Sequence, residues 1–128
     1  MRTPIKLLAL LPLLWGISAT SHGGETTNAT ETMAEIILHM DHYPSEADKE
    51  RLREIAESTS ATSAERVLAN SLLNVNHKVR QEDKPMLRRV MTSSMSSETE
   101  RQLAKALFRL KHHASEQDKE SLSQLIGE

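Results

Sequence analysis

The feature that most constrains this chain is a match to itself at a shift of 35 residues. Asp48-Lys49, Asp83-Lys84 and Asp118-Lys119 stand 35 apart, as do His42, His77 and His112 and, beyond them, Leu52, Leu87 and Leu122, then Ile55, Val90 and Leu125. Upstream the same shift aligns Met33, Leu68 and Leu103, then Ala34, Ala69 and Ala104, then Ile37, Leu72 and Leu107, then Leu38, Leu73 and Phe108. A unit of this size cannot enclose a core alone, so three copies must bury their apolar faces against one another.

Within each copy the apolar spacing is helical. Leu68, Leu72, Leu73 and Val75 recur as Leu103, Leu107, Phe108 and Leu110, a stripe of 3.6-residue character rather than a strand alternation. Capping boxes open these helices at Thr62 with Glu65 and Ser97 with Glu100, with Asn28 and Glu31 as the counterpart in copy one. A second helix starts after the histidine, where Ser45 with Asp48 and Ser115 with Asp118 form the S-x-x-D device: the serine oxygen takes a free backbone N–H and the aspartate reaches back. Copy two departs, because Arg80 replaces the serine and Pro85 forbids a helix begun at residue 80, so Asp83 is the expected N-cap. The serine-rich stretches 58–63 and 92–97 are also 35 apart, and each ends in a helix cap, which makes them turns of a stack rather than free linkers.

The resulting expectation is an all-α fold of three tandem 35-residue helix-turn-helix units, about 28–60, 61–95 and 96–128, forming a short solenoid or a closed bundle. Its six helices fall near 28–42, 45–57, 63–77, 82–93, 98–112 and 116–126. The period invites comparison with the tetratricopeptide repeat, but Glu46, Gln81 and Glu116 stand where that repeat calls for a small residue, and no family is assigned.

Residues 1–21 read as a cleaved secretory signal: Arg2 and Lys6 precede an apolar run from Leu7 to Ala19, followed by small residues at a cleavage site. The expected address is exported, periplasmic or secreted. The chain contains 0 cysteines, so neither disulfides nor thiolate metal sites are available, and the single domain from residue 22 must hold by packing. After cleavage all 18 acidic residues but only 14 of 16 basic ones remain, a formal charge of −4. Without a basic excess, and with only Tyr43 and Phe108 as aromatics, nucleic acid is not an expected partner. Nor is a membrane, since no strongly basic amphipathic face is present. No G-x-S-x-G, H-E-x-x-H or glycine-rich phosphate loop occurs, so the chain is read as non-enzymatic, with no catalytic residue and no cofactor.

Residues identical in all copies are most simply structural. His42 with Asp48, His77 with Asp83 and His112 with Asp118 are therefore read as repeat corners, each histidine closing a helix and its aspartate opening the next. Positions that differ between copies are where partner specificity can sit, and Glu35, His39, Asn70, Asn74, Lys105 and Arg109 are the candidate partner-binding set. Charge drifts the same way: residues 31–65 hold nine acidic and three basic side chains, residues 66–100 four and six. The primary functional expectation is an exported helical repeat module that binds another exported protein as an adaptor, chaperone-like holder, or inhibitor or immunity factor. A homodimer covering an open end of the stack is compatible with it. The alternative is a metal-binding or metal-buffering protein using His39, His42, His77 and His112. One shared site for the repeated histidines requires the units to close into a bundle.

Overall fold

The computed structural model describes residues 27–127, so the predicted signal peptide lies outside the described residues. Six α-helices follow in order: α1 (Asn28–His39), α2 (Glu46–Glu57), α3 (Ser63–Leu73), α4 (Lys84–Thr92), α5 (Glu98–Phe108) and α6 (Glu116–Leu125). The fold is all-helical, as the repeat predicts, and it closes. Helices α1, α3 and α5 touch one another as an inner layer, while α2 packs chiefly on α3, α4 on α5 and α6 on α1. Each outer helix thus covers the inner helix of the next unit, and the α6–α1 contact returns the last unit to the first. An open solenoid has no such contact.

The core is the set of repeat columns. Met33, Leu68 and Leu103, then Ala34, Ala69 and Ala104, then Ile37, Leu72 and Leu107 are fully buried on the inner helices, and Leu52, Leu87 and Leu122 bury from the outer ones. The alanine column permits close approach of the three inner helices. Sequence reading missed a further buried column, Ile36, Ser71 and Ala106, because its middle member is polar. Leu38, Leu73 and Phe108 are only partly buried, and the Phe108 ring instead lies under Lys84 and Arg88 at 5.3 and 5.1 Å.

The inner helices run parallel, because their N-terminal caps are joined. In the expected boxes, Glu65 Oε1 accepts from the Thr62 N–H at 2.9 Å and Glu100 Oε1 from the Ser97 N–H at 2.8 Å. The second carboxylate oxygens accept hydroxyls from the preceding unit, Thr27 to Glu65 and Thr62 to Glu100, both at 2.6 Å. Both glutamates are buried, and these four bonds satisfy oxygens that would otherwise be costly to dehydrate. In copy one the box is Thr27 with Thr30, not Asn28 with Glu31. The serine-rich segments are fixed turns: Arg66 donates to the carbonyls of Ser58 and Ala61, and Arg101 to those of Ser93 and Ser96.

Several helix ends differ from expectation. The first helix of each unit stops at His39, Leu73 and Phe108, three to four residues before the repeated histidine. Buried residues flank that histidine: Met40, Val75 and Leu110 on one side and Pro44, Val79 and Ala114 on the other. A right-handed helix cannot run through the histidine itself, whose φ is positive in every unit, so the chain loops there. Helix α4 begins after Asp83, as Pro85 requires, but Gln81–Asp83 form a 3-10 turn before it and the Asp83 side chain caps nothing. Ser45 and Ser115 cap as expected. Their aspartates do not reach back: Asp48 takes Arg51 at 3.3 Å, and Asp118 is held by Arg109.

Candidate metal centre

The three loops converge at the end of the inner layer opposite the caps. Their tips are His42, His77 and His112, with φ of 74°, 71° and 65°, and among the described residues these are the non-glycine positions with positive φ. The chain reverses tightly at these tips: the Tyr43 N–H donates to the Asp41 carbonyl at 2.9 Å and the His113 N–H to that of Lys111 at 2.6 Å, three-residue γ-turns centred on the histidine. A left-handed L-residue costs about 1–2 kcal/mol, and glycine would avoid it. Histidine three times over in that conformation marks the side chain, rather than the turn, as what the position keeps.

Backbone hydrogen bonds tie the tips together. The His77 N–H donates to the His42 carbonyl at 2.6 Å and the His42 N–H to the His112 carbonyl at 2.8 Å, while the His112 N–H donates to the His77 carbonyl and completes the circuit. Every histidine thereby gives one bond and takes one around the approximate threefold axis. Rigid placement of side chains follows from this, because the loops are pinned to each other as well as to the core.

The imidazoles then face inward. His77 Nδ1 lies 3.2 Å from His42 Nδ1 and 3.2 Å from His112 Nδ1, and ring centroids are separated by 4.7, 5.3 and 5.1 Å. One ligand nitrogen from each ring falls within 4.8 Å of the other two. Three nitrogens about 2.0–2.1 Å from a shared ion lie about 3.3–3.6 Å apart in tetrahedral or trigonal geometry, so two of the three edges already approach the required size. A neutral imidazole nitrogen is either a donor or an acceptor, and three converging on one point cannot all be paired with each other. A cation at the centre would resolve that mismatch. His42 is half-buried and His77 and His112 are exposed, which leaves the outward side of the cluster open to solvent.

The repeated aspartates take no part. Asp48, Asp83 and Asp118 are engaged by Arg51, by Asn74 and Arg80, and by Arg109 respectively, so the histidine and aspartate of one corner are not bonded to each other. The candidate partner-binding positions are largely used within the fold. Glu35 pairs with Arg51 at 3.1 Å, the Asn70 amide donates to the Arg66 carbonyl at 3.0 Å, and the Asn74 amide donates to Asp83 at 3.2 Å. Arg109, Asn74's repeat equivalent, holds Asp118; Lys105 and His39 are exposed on the inner helices, and His39 stands outside the three-histidine group. Sequence reading missed the positive φ and the circuit of backbone bonds. No local signal revealed the loop, because the apolar residues flanking each histidine, Met40 with Pro44, Val75 with Val79 and Leu110 with Ala114, are four apart and read equally well as a continuing helix. Comparison with protein-family models, curated proteins and solved structures returned no match.

Proposed function

We propose that this protein is an exported, non-enzymatic metal-binding protein in which the Nδ1 atoms of His42, His77 and His112 hold one transition-metal ion. The observation that carries this is the convergence of three imidazole nitrogens on strained, mutually bonded loop tips. The donor set selects the class of ion. Three neutral imidazoles without carboxylate or thiolate suit zinc, copper or nickel and are poor for magnesium or calcium, which demand oxygen. With three ligands supplied from one side, the ion keeps a position for water or an exchangeable ligand, a geometry suited to acquiring and handing on metal. Ligation requires the neutral ring, so acidification releases the ion and chelation competes with it.

Titration calorimetry with zinc, copper and nickel tests the reading. One ion per chain is expected, with affinity falling at least about a hundredfold in His77→Asn, since even outer-shell partners of a metal commonly contribute 10–100-fold. His39→Ala and His113→Ala should leave that affinity within about threefold, a change of under 1 kcal/mol. Binding that survives His77→Asn and is lost with His39 or His113 would identify scattered surface histidines as the ligands and overturn the proposal.

A further inference from the structure

The repeat provides an internal control for a second site. Two grooves lie at equivalent unit boundaries, one lined by Thr32, Arg51, Glu54, Ile55 and Ser60, the other by their counterparts 35 residues on, Val67, Met86, Arg89, Val90 and Met95. In the first groove Arg51 is matched at home, paired with both Glu35 and Asp48. In the second, valine replaces threonine and methionines replace arginine and serine. Among the described residues the exposed large hydrophobics are Tyr43, Met86 and Met95, at 55, 41 and 90%, so two of the three flank this one groove. A flexible, polarisable methionine pair is a surface suited to receiving another apolar side chain.

The charge beside it is basic apart from Glu100, whose two carboxylate oxygens already accept from Thr62 and Ser97. Helix α4, Lys84–Thr92, contains Lys84, Arg88 and Arg89 and no acidic residue. Lys84 and Arg88 lie against the Phe108 ring. Arg89, where the first groove has Glu54, lines the second groove and makes no ion pair with a described residue.

We infer that the groove between α3 and α4 docks a segment of another protein that carries a bulky apolar side chain next to a carboxylate. The apolar group enters between Val67, Met86 and Met95, and the carboxylate meets Arg89. A bidentate guanidinium–carboxylate pair at the edge of an apolar pocket supplies orientation, while the pocket supplies burial. The site stands apart from the metal centre and does not depend on it.

Fluorescence anisotropy with a labelled peptide of leucine and glutamate spaced by serine and glycine, in chelator, tests this against a counterpart with lysine for each glutamate. Saturable binding of the glutamate peptide alone is expected. It should weaken at least about tenfold, or 1.4 kcal/mol, when Met86→Arg and Arg89→Glu restore the first groove's residues. Circular dichroism would show those variants to be folded, since both positions are exposed. Failure of the glutamate peptide to bind, equal binding of the lysine peptide, or indifference to the two substitutions overturns the inference. So does sedimentation showing self-association of the wild type that the substitutions abolish, which would assign the groove to the acidic first unit of a second copy.

Discussion

Both ends of the inner helical layer gather equivalent residues from the three units, yet the two ends use them in opposite ways. At the cap end, Thr27, Thr62, Ser97, Glu65 and Glu100 are drawn into bonds that satisfy backbone and carboxylate alike, and the glutamates are buried. Copy one tolerates a departure there, with Thr30 in the glutamate's place. At the histidine end the backbone is strained, the rings are partly exposed, and their nitrogens face one another without a complete set of partners. Repetition alone therefore does not separate structure from function. What separates them is whether the repeated group is used up by the fold. The caps are; the imidazoles are not.

The largest expected effect breaks the cap end. Glu100→Ala would leave the Ser97 N–H and the Thr62 hydroxyl without their acceptor at a buried site, a loss of about 2–4 kcal/mol in denaturant unfolding. Zinc affinity, set at the other end, should stay within about threefold in protein that remains folded. A loss of metal binding parallel to the loss of stability would show that the two ends are one cooperative element rather than a scaffold and a site.

Metal addition sharpens the contrast from the other side. An ion that binds only the folded state at a hundred times its dissociation constant stabilises by about 2.7 kcal/mol. The melting temperature of the wild type should rise accordingly and that of His77→Asn should not. Without metal the sign reverses. His77→Gly relieves a left-handed side chain worth about 1–2 kcal/mol and gives back about 0.5–1 kcal/mol in chain entropy, so stability should range from unchanged to about 1.5 kcal/mol higher. A structural corner would instead lose stability with its histidine. That outcome in thermal unfolding with chelator present would return these residues to a purely architectural role.

Most of this architecture was legible as a pattern of columns. Leu68, Leu72 and Leu103 announced buried faces, and Thr62 with Glu65 and Ser97 with Glu100 announced helix starts, because caps and apolar stripes are local devices with local signatures. Closure was not legible. The interface between neighbouring units is the same in an open and a closed stack, and the difference is a rotation per unit that no single residue encodes. The histidine cluster depended on that closure, since in an open stack His42 and His112 would never meet. It depended also on a positive φ that the sequence marks with histidine instead of glycine. The second groove was masked for a related reason: the shift of 35 residues shows Val67, Met86 and Met95 in place of Thr32, Arg51 and Ser60, but only the fold brings the three together to line one groove.

The smallest effect concerns the ties just beneath the histidine loops, where the units differ. In unit three Arg109 holds Asp118; in unit two the equivalent tie is Asn74 to Asp83 at 3.2 Å, and in unit one Asp48 turns to Arg51 instead. Arg109→Asn converts unit three to the pattern of unit two. The guanidinium is half exposed while the Asp118 side chain is only 7% exposed, so solvent screens the arginine's contribution but the carboxylate keeps a need for a donor. Asparagine can supply one, as it does in unit two. The expected loss is therefore only about 0.5–1 kcal/mol, reduced further at high salt, with zinc affinity unchanged. If the loss proved several-fold larger, or if affinity fell with it, the loops would be positioned by these side-chain ties rather than by the circuit of backbone bonds among His42, His77 and His112. The histidine end would then resemble the cap end more closely than its geometry implies.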